Sequence, residues 1–486
     1  MSNEFFIPDY IEINSPGRGN TFLNPDHPIK ISGAKNEVLG VMAAAVLTDQ
    51  PVILENVPHI SDVLDMGKIM MDLGVIVEYA PESCRMFLHA KEIKSNILSD
   101  EAFKFRSSYY LWGALLARFM ITKEFDSLKV TIPGGCSFAG GRTASGRRAI
   151  DFHVNILHNI FNARVIAKDN TLEIRLPKSQ PDVDKNPIFC TRLFSHGATF
   201  HWMLSAATAG RTKFFYNASM EPEVGHLLGI LNKMGANFRG TNHTAITSFG
   251  ANGLLHGGRF SILPDRMETA SYALLALSLN SEIVLDGIDC ESCRPWMNSI
   301  KEIAGPKSIQ KLGPGSSGDY EKIKFDFKNT IIPGQIFQIS PIPGKETDLQ
   351  QIWTPVLACG ESESLIIDPI WASRTAHLPE MEKFGLKANH SNIKIKKASV
   401  TTALQVNIYP SNFSPATAAG MDLRGTFGLI VCAAIAKGHS RIDTPSYALR
   451  GYPNLINNLN GIGLDVKVSA TGKTLPALPQ LKQGKQ

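Results

Sequence analysis

The sequence lacks the features of a membrane or secreted protein. It has no run of about 18 apolar residues, which a membrane-spanning helix would require. Its first twenty residues contain no basic segment followed by an apolar run, so no secretory signal is predicted. Seven cysteines, an odd number, do not form a disulfide framework in a chain of 486 residues, which favours a reducing compartment. We therefore expect a cytoplasmic protein with no membrane partner.

A strong charge of either sign is also absent. The chain has 49 Lys and Arg against 44 Asp and Glu, a net charge of +5, which excludes a histone-like role but suits an anionic small substrate. The basic residues are scattered without a nucleic-acid motif, so no nucleic-acid partner is expected. Hydrophobic residues make up 43% of the chain, enough for packed cores. The length predicts two large domains or about three smaller ones.

The chain does contain a repeated sequence pattern. An amphipathic helical stripe leads into a Gly or Asn, the residues that end helices in the left-handed conformation, and a strand-like stretch follows. These turns recur every 70 to 88 residues, at Gly74, Asn162, Gly235, Gly305, Gly385 and Gly463. The spacing predicts six α/β units arranged as two lobes of three. Outside the repeats, the proline-containing first 28 residues suggest an extended arm, and residues 469–486 suggest a flexible tail.

The segment from 132 to 153 is the most unusual in composition. Five glycines and three arginines surround Cys136, and nearby guanidinium groups favour the thiolate form of a cysteine. Cys136 is therefore a nucleophile, a proton donor or a bystander. Cys290 and Cys293 have C-x-x-C spacing, but no second pair or His cluster accompanies them, so no metal site is predicted.

Further polar residues lie within segments that are otherwise apolar or turn-forming. Most of them, taken singly, fit surface charges or helix caps, but Arg424 begins an apolar helix that ought to be buried. Together they offer several cations and one carboxylate base, which suits a small substrate with several negative charges. The set comprises Lys35, Asn36, Arg106, Asp348, Arg374, Arg424 and Arg450.

Several motifs resemble those of the enolpyruvyl transferases. The resemblance runs from about residue 29 to 468 and is closer to the cell-wall enzyme acting on UDP-N-acetylglucosamine than to the shikimate-pathway enzyme. The motifs are ISGAKN (31–36), LENVPHISDV (54–63), PGGC (133–136), LPDRMET (263–269), TDLQ (347–350), SRTAHLPEM (373–381), DLR (422–424) and RGY (450–452). Their number and order make the signal stronger than any single motif.

The resemblance implies an α/β (α+β) fold, a two-lobed inside-out α/β barrel in which each lobe has three βαβαββ repeats. One lobe would comprise residues 1–34 with 264–486, and the other residues 35–263 with the Cys136 loop. Crossings between lobes are expected near residues 33–35 and 263–265.

The resemblance also implies transfer of the enolpyruvyl group of phosphoenolpyruvate to a sugar hydroxyl, with release of phosphate and without a metal or other cofactor. The path is addition and elimination through a tetrahedral ketal. Cys136 matches the family's proton donor, which the antibiotic fosfomycin alkylates, and Asp348 matches its base. The positions that hold phosphate and carboxylate match Lys35, Arg148, Arg424 and Arg450, with Arg374, Arg106 and Asn36 as further cleft residues.

For the acceptor, the resemblance implies a uridine nucleotide. Asp151 matches an aspartate that contacts uracil, and Ser195 and Gly197 match a loop that contacts nucleotide phosphate. Four features depart from the cell-wall enzyme: a Cys136 loop about seven residues longer, and the residues Ala149, Leu193 and Met220 where that enzyme has proline, lysine and arginine. The alignment through the loop leaves open whether Arg147 or Arg148 is the functional arginine.

Loss of a cation that faces a diphosphate favours an acceptor with less phosphate. We therefore expect UMP, modified on its ribose 3′-hydroxyl as in the nucleoside-antibiotic branch of the family. The alternatives are UDP-N-acetylglucosamine, as in peptidoglycan synthesis, and an inactive nucleotide-binding homologue with a regulatory role. The oligomeric state and the pathway stay open.

Overall fold

The chain divides into two units that alternate along the sequence. The computed structural model describes residues 5–99, 102, 106–131, 150–178, 187–191, 194–240, 244–396 and 400–481. Of these, 5–32 and Pro264–Pro476 form the first unit. The second unit comprises the described residues between Gly33 and Leu263, together with 477–481.

Twelve α-helices occur in the described residues, six in each unit. Those of the second unit are α1 (Lys35–Ala44), α2 (Ser61–Asp72), α3 (Tyr110–Thr122), α4 (Asp151–Phe161), α5 (His196–Ala206) and α6 (Pro222–Lys233). Those of the first unit are α7 (Arg266–Leu279), α8 (Cys290–Ala304), α9 (Gln350–Ala358), α10 (His377–Glu382), α11 (Leu423–Ile435) and α12 (Leu455–Gly461). In the part of the chain that is described, no helix has both the length and the apolar character needed to cross a bilayer.

The first unit contains three four-stranded sheets and one two-stranded sheet among its described residues. Numbering all strands in chain order, the four-stranded sheets are β16-β17-β15-β3, β18-β19-β21-β20 and β22-β23-β2-β24, and the pair is β1-β25. The bounds are β1 (Phe5–Pro8), β2 (Tyr10–Ser15), β3 (Ile29–Lys30), β15 (Glu282–Ile288), β16 (Ile309–Pro314), β17 (Glu321–Asp326), β18 (Ile336–Gln338), β19 (Ser364–Asp368), β20 (Lys387–Lys396), β21 (Val400–Tyr409), β22 (Thr417–Ala419), β23 (Gly438–Asp443), β24 (Asp465–Val468) and β25 (Gly472–Leu475).

The second unit contains three sheets among its described residues. They are ordered β14-β4-β6-β5, β7-β9-β8 and β10-β11-β13-β12. The bounds are β4 (Val52–Glu55), β5 (Ile76–Ala80), β6 (Arg85–His89), β7 (Ser127–Thr131), β8 (Arg164–Lys168), β9 (Thr171–Arg175), β10 (Ile188–Cys190), β11 (Lys213–Tyr216), β12 (Phe238–Arg239), β13 (Ala245–Ser248) and β14 (Gly258–Ser261). Each four-stranded sheet of either unit joins one parallel edge pair to an antiparallel remainder.

The six predicted turns are confirmed as positions of positive φ. All six have φ between 53° and 101°, from Asn162 to Gly235. Each follows a helix of its unit and is followed by a strand, although the 3₁₀ helix Pro306–Ser308 lies between Gly305 and β16, so each marks one α/β repeat. With three repeats in each unit, the repeat count inferred from the sequence is correct for the described residues.

The first helix of each repeat lies in the interior of its unit. In α7, α9 and α11 every residue is buried, and α1, α3 and α5 are buried along most of their length. Within each unit these three helices contact one another. Helices that are apolar on all sides belong in a core, whereas amphipathic helices such as α2 and α8 cover it. Helices inside and sheets outside are the inside-out α/β fold that the sequence predicted.

The C-terminal segment differs from the flexible tail expected over residues 469–486. Gly472–Leu475 form β25, which pairs antiparallel with β1. Beyond it, Leu478 is 5% exposed, and a Cβ added at Gly67 of α2 would lie 2.6 Å from its Cδ1. The carbonyl of Pro479 accepts a hydrogen bond from the N–H of Tyr79 on the edge strand β5, at 2.8 Å. The segment is held by pairing at strand edges and by two buried side chains, Leu475 and Leu478, so it needs no apolar periodicity.

Candidate active site

Asp348 and Arg374 form an ion pair in the first unit. Nη1 and Nη2 of Arg374 both donate to Oδ1 of Asp348, at 3.0 Å each. Arg374 is 5% exposed at its side chain and Asp348 39% exposed. Asp348 lies in a 3₁₀ turn, Thr347–Leu349, that leads into α9. A buried arginine therefore orients a solvent-accessible carboxylate, and a carboxylate can accept a proton.

The turn that carries Asp348 is itself held by a second carboxylate. Asp368, at the end of β19, accepts the hydroxyl of Thr347 at 2.6 Å. Its other oxygen accepts the N–H of Ile370 at 2.8 Å and that of Trp371 at 3.1 Å. The Trp371 ring lies 5.7 Å from the guanidinium carbon of Arg374. Because Asp368 is fully buried, these bonds fix the position of both members of the ion pair.

Arg424 is a buried cation at the start of α11. Its N–H and that of Gly425 donate to Oδ1 of Asp422, the N-cap residue, at 3.1 and 2.9 Å. Oδ2 of Asp422 accepts Nε2 of Gln351 at 2.7 Å. The cap fixes the first turn of the helix, and with it the arginine, which is only 6% exposed. This confirms the expectation that α11 is buried.

The charges around Arg424 keep it ionised although it is buried. Burial lowers the pKa of an arginine, but Tyr452, Asp265 and Asp348 raise it more, so the net pKa of Arg424 lies above its ordinary value. Burial also raises the pKa of Glu268, to about 8. The first unit thus contains a buried cation, Arg424, and a buried carboxyl group, Glu268, that stays largely protonated at neutral pH.

Arg450 occupies the end of the 3₁₀ helix Pro445–Arg450 and is partly exposed. The motif that contains it continues into Gly451 and Tyr452, and Tyr452 is fully buried against the first unit's core. Asp348, Arg374, Arg424 and Arg450 are therefore all residues of the first unit.

Lys35 is the first residue of α1, in the second unit. Its Nζ lies 2.7 Å from Oδ2 of Asp62, near the start of α2, and the two side chains are 13% and 4% exposed. Asn36, next along the helix, is partly exposed. A lysine held near the N-terminus of a helix combines its own charge with the helix dipole, an arrangement that favours anions.

Two buried glutamates occupy equivalent places in the two units. Glu37 and Glu268 are each the third residue of a helix, α1 and α7, and both are fully buried. Glu37 Oε2 accepts the N–H of Leu263 at 2.9 Å, and Glu268 Oε2 accepts that of Ser32 at 3.0 Å. Leu263 and Ser32 are the residues at which the chain leaves each unit. Burial raises the pKa of Glu37 as it does that of Glu268.

The residues matched to nucleotide binding lie at the starts of two adjacent helices of the second unit. Asp151 is the exposed first residue of α4. Ser195 caps α5, because its Oγ accepts the N–H of Ala198 at 3.2 Å. Gly197 is buried in the first turn, where an added Cβ would lie 2.1 Å from Oη of Tyr109. A capped helix start with a glycine in its first turn presents backbone N–H groups to an anion.

A histidine pair joins these two helices. Nδ1 of His153 on α4 and Nδ1 of His201 on α5 are 2.9 Å apart. The Tyr109 ring stacks on His153 at 3.6 Å. Burial lowers the pKa of His201 to about 3, so this ring is neutral at physiological pH. The bond fixes the spacing of the helices that carry Asp151 and Ser195.

Some predicted site residues lie outside the described residues. These are Cys136, Arg147, Arg148, Ala149 and Leu193. Arg106 begins the 3₁₀ helix Arg106–Tyr109, but its side chain is not among those described.

Other residues that support the site were missed by the sequence reasoning. They are Asp62 beside Lys35, Glu37 and Glu268 at the unit boundaries, Tyr452 beside Arg424, and the pair His153 and His201. Three of them lie within motifs already quoted for the resemblance: Asp62 in LENVPHISDV, Glu268 in LPDRMET and Tyr452 in RGY. The motifs therefore contained these residues, but no neighbouring sequence indicated which distant residue each of them contacts.

Comparisons with known proteins identify the family of the chain. The profile of the family described as EPSP synthase (3-phosphoshikimate 1-carboxyvinyltransferase) matches residues 26–459. The chain is 28% identical over 447 residues to UDP-N-acetylglucosamine 1-carboxyvinyltransferase 2 of Lactococcus lactis, covering 90% of this chain and 96% of that protein. It is 29% identical over 446 residues to the enzyme of the same name from Streptococcus thermophilus, with the same coverage.

Solved structures share the fold. The enolpyruvyl transferase NikO from Streptomyces tendae superposes with a TM-score of 0.75 at 18% identity, covering 96% of this chain and 99% of that one. EPSP synthase from Acinetobacter baumannii gives a TM-score of 0.66 at 13% identity, covering 95% and 99%. With the family profile matching most of its length, the chain belongs to the EPSP synthase family of enolpyruvyl transferases.

Proposed function

We propose that this enzyme transfers the enolpyruvyl group of phosphoenolpyruvate to a sugar hydroxyl of a uridine nucleotide and releases phosphate. The observation that carries the proposal is the Asp348 carboxylate, oriented by a bidentate Arg374, with Arg424 in the same electrostatic environment. This arrangement supplies a base for a hydroxyl and cations for an anionic substrate.

The reaction is an addition followed by an elimination. In the addition, Cys136 donates a proton to the methylene carbon of phosphoenolpyruvate, the acceptor oxygen attacks the adjacent carbon, and Asp348 accepts the hydroxyl proton. The product is a tetrahedral ketal. In the elimination, the Cys136 thiolate takes a proton back from the new methyl group, and the carbon–oxygen bond to phosphate breaks as Asp348 returns its proton to the departing phosphate. The enolpyruvyl ether and inorganic phosphate then leave, with both side chains in their starting forms. Atoms and charge balance without a cofactor.

The cations stabilise charge at both ends of phosphoenolpyruvate. Lys35, Arg148 and Arg450 are assigned to the phosphate and carboxylate groups, with Arg424 on the carboxylate. Arg106 and Asn36 are assigned to further contacts. Buried guanidinium groups are more effective than exposed ones because water screens them less. At 6% exposure, Arg424 fits that role.

For the acceptor we favour UMP, modified at its 3′-hydroxyl. Asp151, Ser195 and Gly197 supply a uracil contact and a single helix-capped phosphate site. Leu193 in place of a lysine removes a cation from the position that would face a second phosphate. The cations that remain at this position match an acceptor with one phosphate better than one with a diphosphate.

The second candidate acceptor is UDP-N-acetylglucosamine. It is favoured by the names of the relatives at 28 and 29% identity, which are UDP-N-acetylglucosamine 1-carboxyvinyltransferases. Arg192, next to Leu193, would then supply the second phosphate contact.

Phosphate release from phosphoenolpyruvate, measured with UMP and UDP-N-acetylglucosamine side by side, tests the proposal. We expect turnover with UMP and a new enolpyruvyl ether at its 3′-oxygen by NMR. Turnover with UDP-N-acetylglucosamine alone would assign the chain to the cell-wall reaction. Release with neither nucleotide, while both still bind, would favour the inactive regulatory homologue.

A further inference from the structure

The side-chain amide of Gln351 joins the starts of three helices in the first unit. Gln351 is the second residue of α9. Its Nε2 donates to Oδ2 of Asp422, the N-cap residue of α11, at 2.7 Å, and lies 3.4 Å from Nδ1 of His377, the first residue of α10. All three side chains are buried. The amide therefore connects α9 with both α10 and α11.

Each of these helix starts carries one charged residue of the candidate site. Asp348 and Arg374 lie in the segments that lead into α9 and α10, and Arg424 lies in the first turn of α11. The starts of α9 and α10 are already connected, because both terminal nitrogens of Arg374 donate to Asp348. The bond from Gln351 to Asp422 connects the start of α11, and with it Arg424, to the other two.

The orientation of the Gln351 amide follows from the groups around it. A glutamine nitrogen only donates and a carboxylate only accepts, so one amide hydrogen goes to Asp422. The other faces Nδ1 of His377, which accepts only while the ring is neutral. Burial lowers the pKa of His377 to about 3, so the ring is neutral at physiological pH. The reverse orientation would place the amide oxygen of Gln351 against the Asp422 carboxylate, so it is disfavoured.

The packing of α11 against α9 is close enough to require glycine at two positions. A Cβ added at Gly425 would lie 2.7 Å from Oδ2 of Asp422 and 3.0 Å from Nε2 of Gln351. A Cβ added at Gly428, about one turn further along α11, would lie 2.8 Å from the backbone oxygen of Gln351. The hydrogen bond and the close helix packing therefore set the same spacing between the two helices.

The Asp422 carboxylate passes this constraint on to Arg424. Its Oδ1 accepts the backbone N–H groups of Arg424 and Gly425, while its Oδ2 accepts the Gln351 amide. One carboxylate thus fixes the first turn of α11 relative to α9. Nη1 of Arg424 is buried and has no hydrogen-bond partner among the described residues, so this donor is available to an anionic substrate.

We propose that Gln351 is a positioning residue that fixes the distance between Asp348 and Arg424. This inference rests on the function proposed above, in which Asp348 is the base and Arg424 binds the carboxylate of phosphoenolpyruvate. Gln351 acts through Asp422 and takes no part in the chemistry itself. If the cation and the base are displaced relative to each other by about 1 Å, the rate falls by about a hundredfold, because the bound substrate no longer meets the base correctly.

The matched variants are Gln351→Met and Thr354→Val. Gln351→Met removes the amide and keeps the approximate length and volume of the side chain. Thr354 is fully buried on the same helix, and its hydroxyl donates to the backbone oxygen of Gln350 at 2.9 Å. Each substitution removes a buried hydrogen-bonding group from α9, so both are expected to lower the melting temperature. Only Gln351→Met breaks a bond to the helix that carries Arg424.

Steady-state phosphate release is the readout, measured at a temperature at which wild type and both variants are folded. The acceptor is whichever of UMP and UDP-N-acetylglucosamine supports turnover of wild type. We expect Gln351→Met to lower kcat by about ten- to a hundredfold, while KM for phosphoenolpyruvate changes by less than about threefold. Thr354→Val should keep both parameters within about twofold of wild type.

A double variant that reverses the hydrogen bond supplies the rescue. Gln351→Glu alone places two carboxylates in contact and should lower kcat at least as much as Gln351→Met. Adding Asp422→Asn puts the donor on position 422 and the acceptor on position 351, restores the net charge of wild type, and keeps a residue type that caps helices well. The double variant should recover most of the lost kcat, and it serves if Gln351→Met does not fold.

Arg424→Ala separates this inference from the function on which it rests. If Arg424→Ala loses turnover but Gln351→Met keeps the kcat of wild type, the positioning role is wrong and the role of Arg424 stands. Equal losses of kcat in Gln351→Met and Thr354→Val, or no recovery in the double variant, would show that Gln351 is merely structural. If wild type releases phosphate with neither nucleotide, the proposed function is wrong and the positioning role falls with it.

Discussion

Glu268 accepts both hydrogen-bond donors of Ser32 through the same carboxyl oxygen. The Ser32 N–H lies 3.0 Å and its Oγ 2.5 Å from Oε2 of Glu268. The other oxygen, Oε1, is buried without a hydrogen-bond partner among the described residues. A carboxyl group solvated on one side only is costly to ionise, which is why burial raises the pKa of Glu268 to about 8.

This shift predicts a pH dependence of stability. Between the ordinary pKa of 4.5 and about 8, the folded protein binds a proton at Glu268 that the unfolded chain has released. Stability from this group is therefore present below 4.5 and is lost as the pH rises to about 8, by on the order of a few kcal/mol in total. Glu268→Gln should remove that slope.

Urea unfolding of wild type and Glu268→Gln at several values from pH 5 to 8 measures the slope. The difference between the free energies of unfolding of wild type and of the variant should shrink steadily as the pH rises. Glu291→Gln, which changes an exposed glutamate in the first turn of α8, is the control and should run parallel to wild type. Parallel curves for Glu268→Gln as well would contradict the assignment.

Asp348→Asn tests the proposed base. Asparagine keeps an oxygen for Arg374, so the ion-pair geometry is largely preserved, but it cannot accept the hydroxyl proton. We expect turnover to fall by about 10²- to 10⁴-fold, with the substrate affinities little changed. Steady-state phosphate release gives the rate, and Asp326→Asn, at the end of β17, is the matched control. Turnover close to wild type in Asp348→Asn would assign the base to another residue.

The Lys35–Asp62 contact predicts competition between a carboxylate and a substrate anion. Oδ2 of Asp62 lies 2.7 Å from Nζ of Lys35. An anion that binds this ammonium group must therefore compete with the Asp62 carboxylate for its positive charge. Asp62→Asn should strengthen the binding of inorganic phosphate severalfold, whereas Lys35→Ala should weaken it. Calorimetric titration measures both, with Asp72→Asn, an exposed carboxylate on the same helix, as control. Weaker phosphate binding in Asp62→Asn would mean that Asp62 orients Lys35 and does not compete.

Gly197 and Tyr109 form a close contact that a methyl group would disrupt. A Cβ at position 197 would lie 2.1 Å from the Tyr109 hydroxyl but 3.1 Å from the ring carbon behind it. Gly197→Ala should destabilise the protein by about 1–3 kcal/mol. Adding Tyr109→Phe should restore much of the loss. Gly229→Ala, where nothing lies within 4 Å of the new Cβ, is the control, and additive losses in the double variant would refute the contact.

Fosfomycin tests Cys136. Cys136 matches the family's cysteine that this antibiotic alkylates, so we expect a single adduct at Cys136, identified by mass spectrometry of the digested protein. Cys136→Ala should form no adduct and should lose nearly all turnover. Cys84→Ala should react as wild type does. Lack of reaction in wild type, or near-full activity in Cys136→Ala, would remove the proton-donor assignment.

The sequence predicts the repeat structure well because the determining signals are local. Helix α10 ends at Glu382, and the turn that follows it closes at Gly385 with φ of 95°, which needs only neighbouring residues to specify it. Arg424 was singled out for the same kind of reason, as a charge at the start of an apolar helix. Its burial follows from the residues that surround it in sequence.

Partners distant in sequence could not be predicted in this way. Ser271 and Tyr452 are 181 residues apart, and neither position carries a pattern that indicates the other. The strand at Gly472–Leu475 is too short to show an alternating pattern, and it forms because β1 offers an edge to pair with. Lys35 and Asp62 lie in separate motifs whose contact depends on the packing of α1 against α2.

The position of β2 within its sheet imposes an order on biosynthesis. Tyr10–Ser15 pair with β23 and β24, so both neighbours of this strand lie beyond residue 437. Ile11 and Ile13, fully buried in the finished sheet, leave the ribosome early and find no partners until translation is nearly complete. The sheets of the second unit, in contrast, are built from strands between residues 52 and 261. A nascent chain therefore completes the sheets of the second unit while β2 still lacks its partners, and a chain that stops before residue 438 leaves β2 without both of its neighbours.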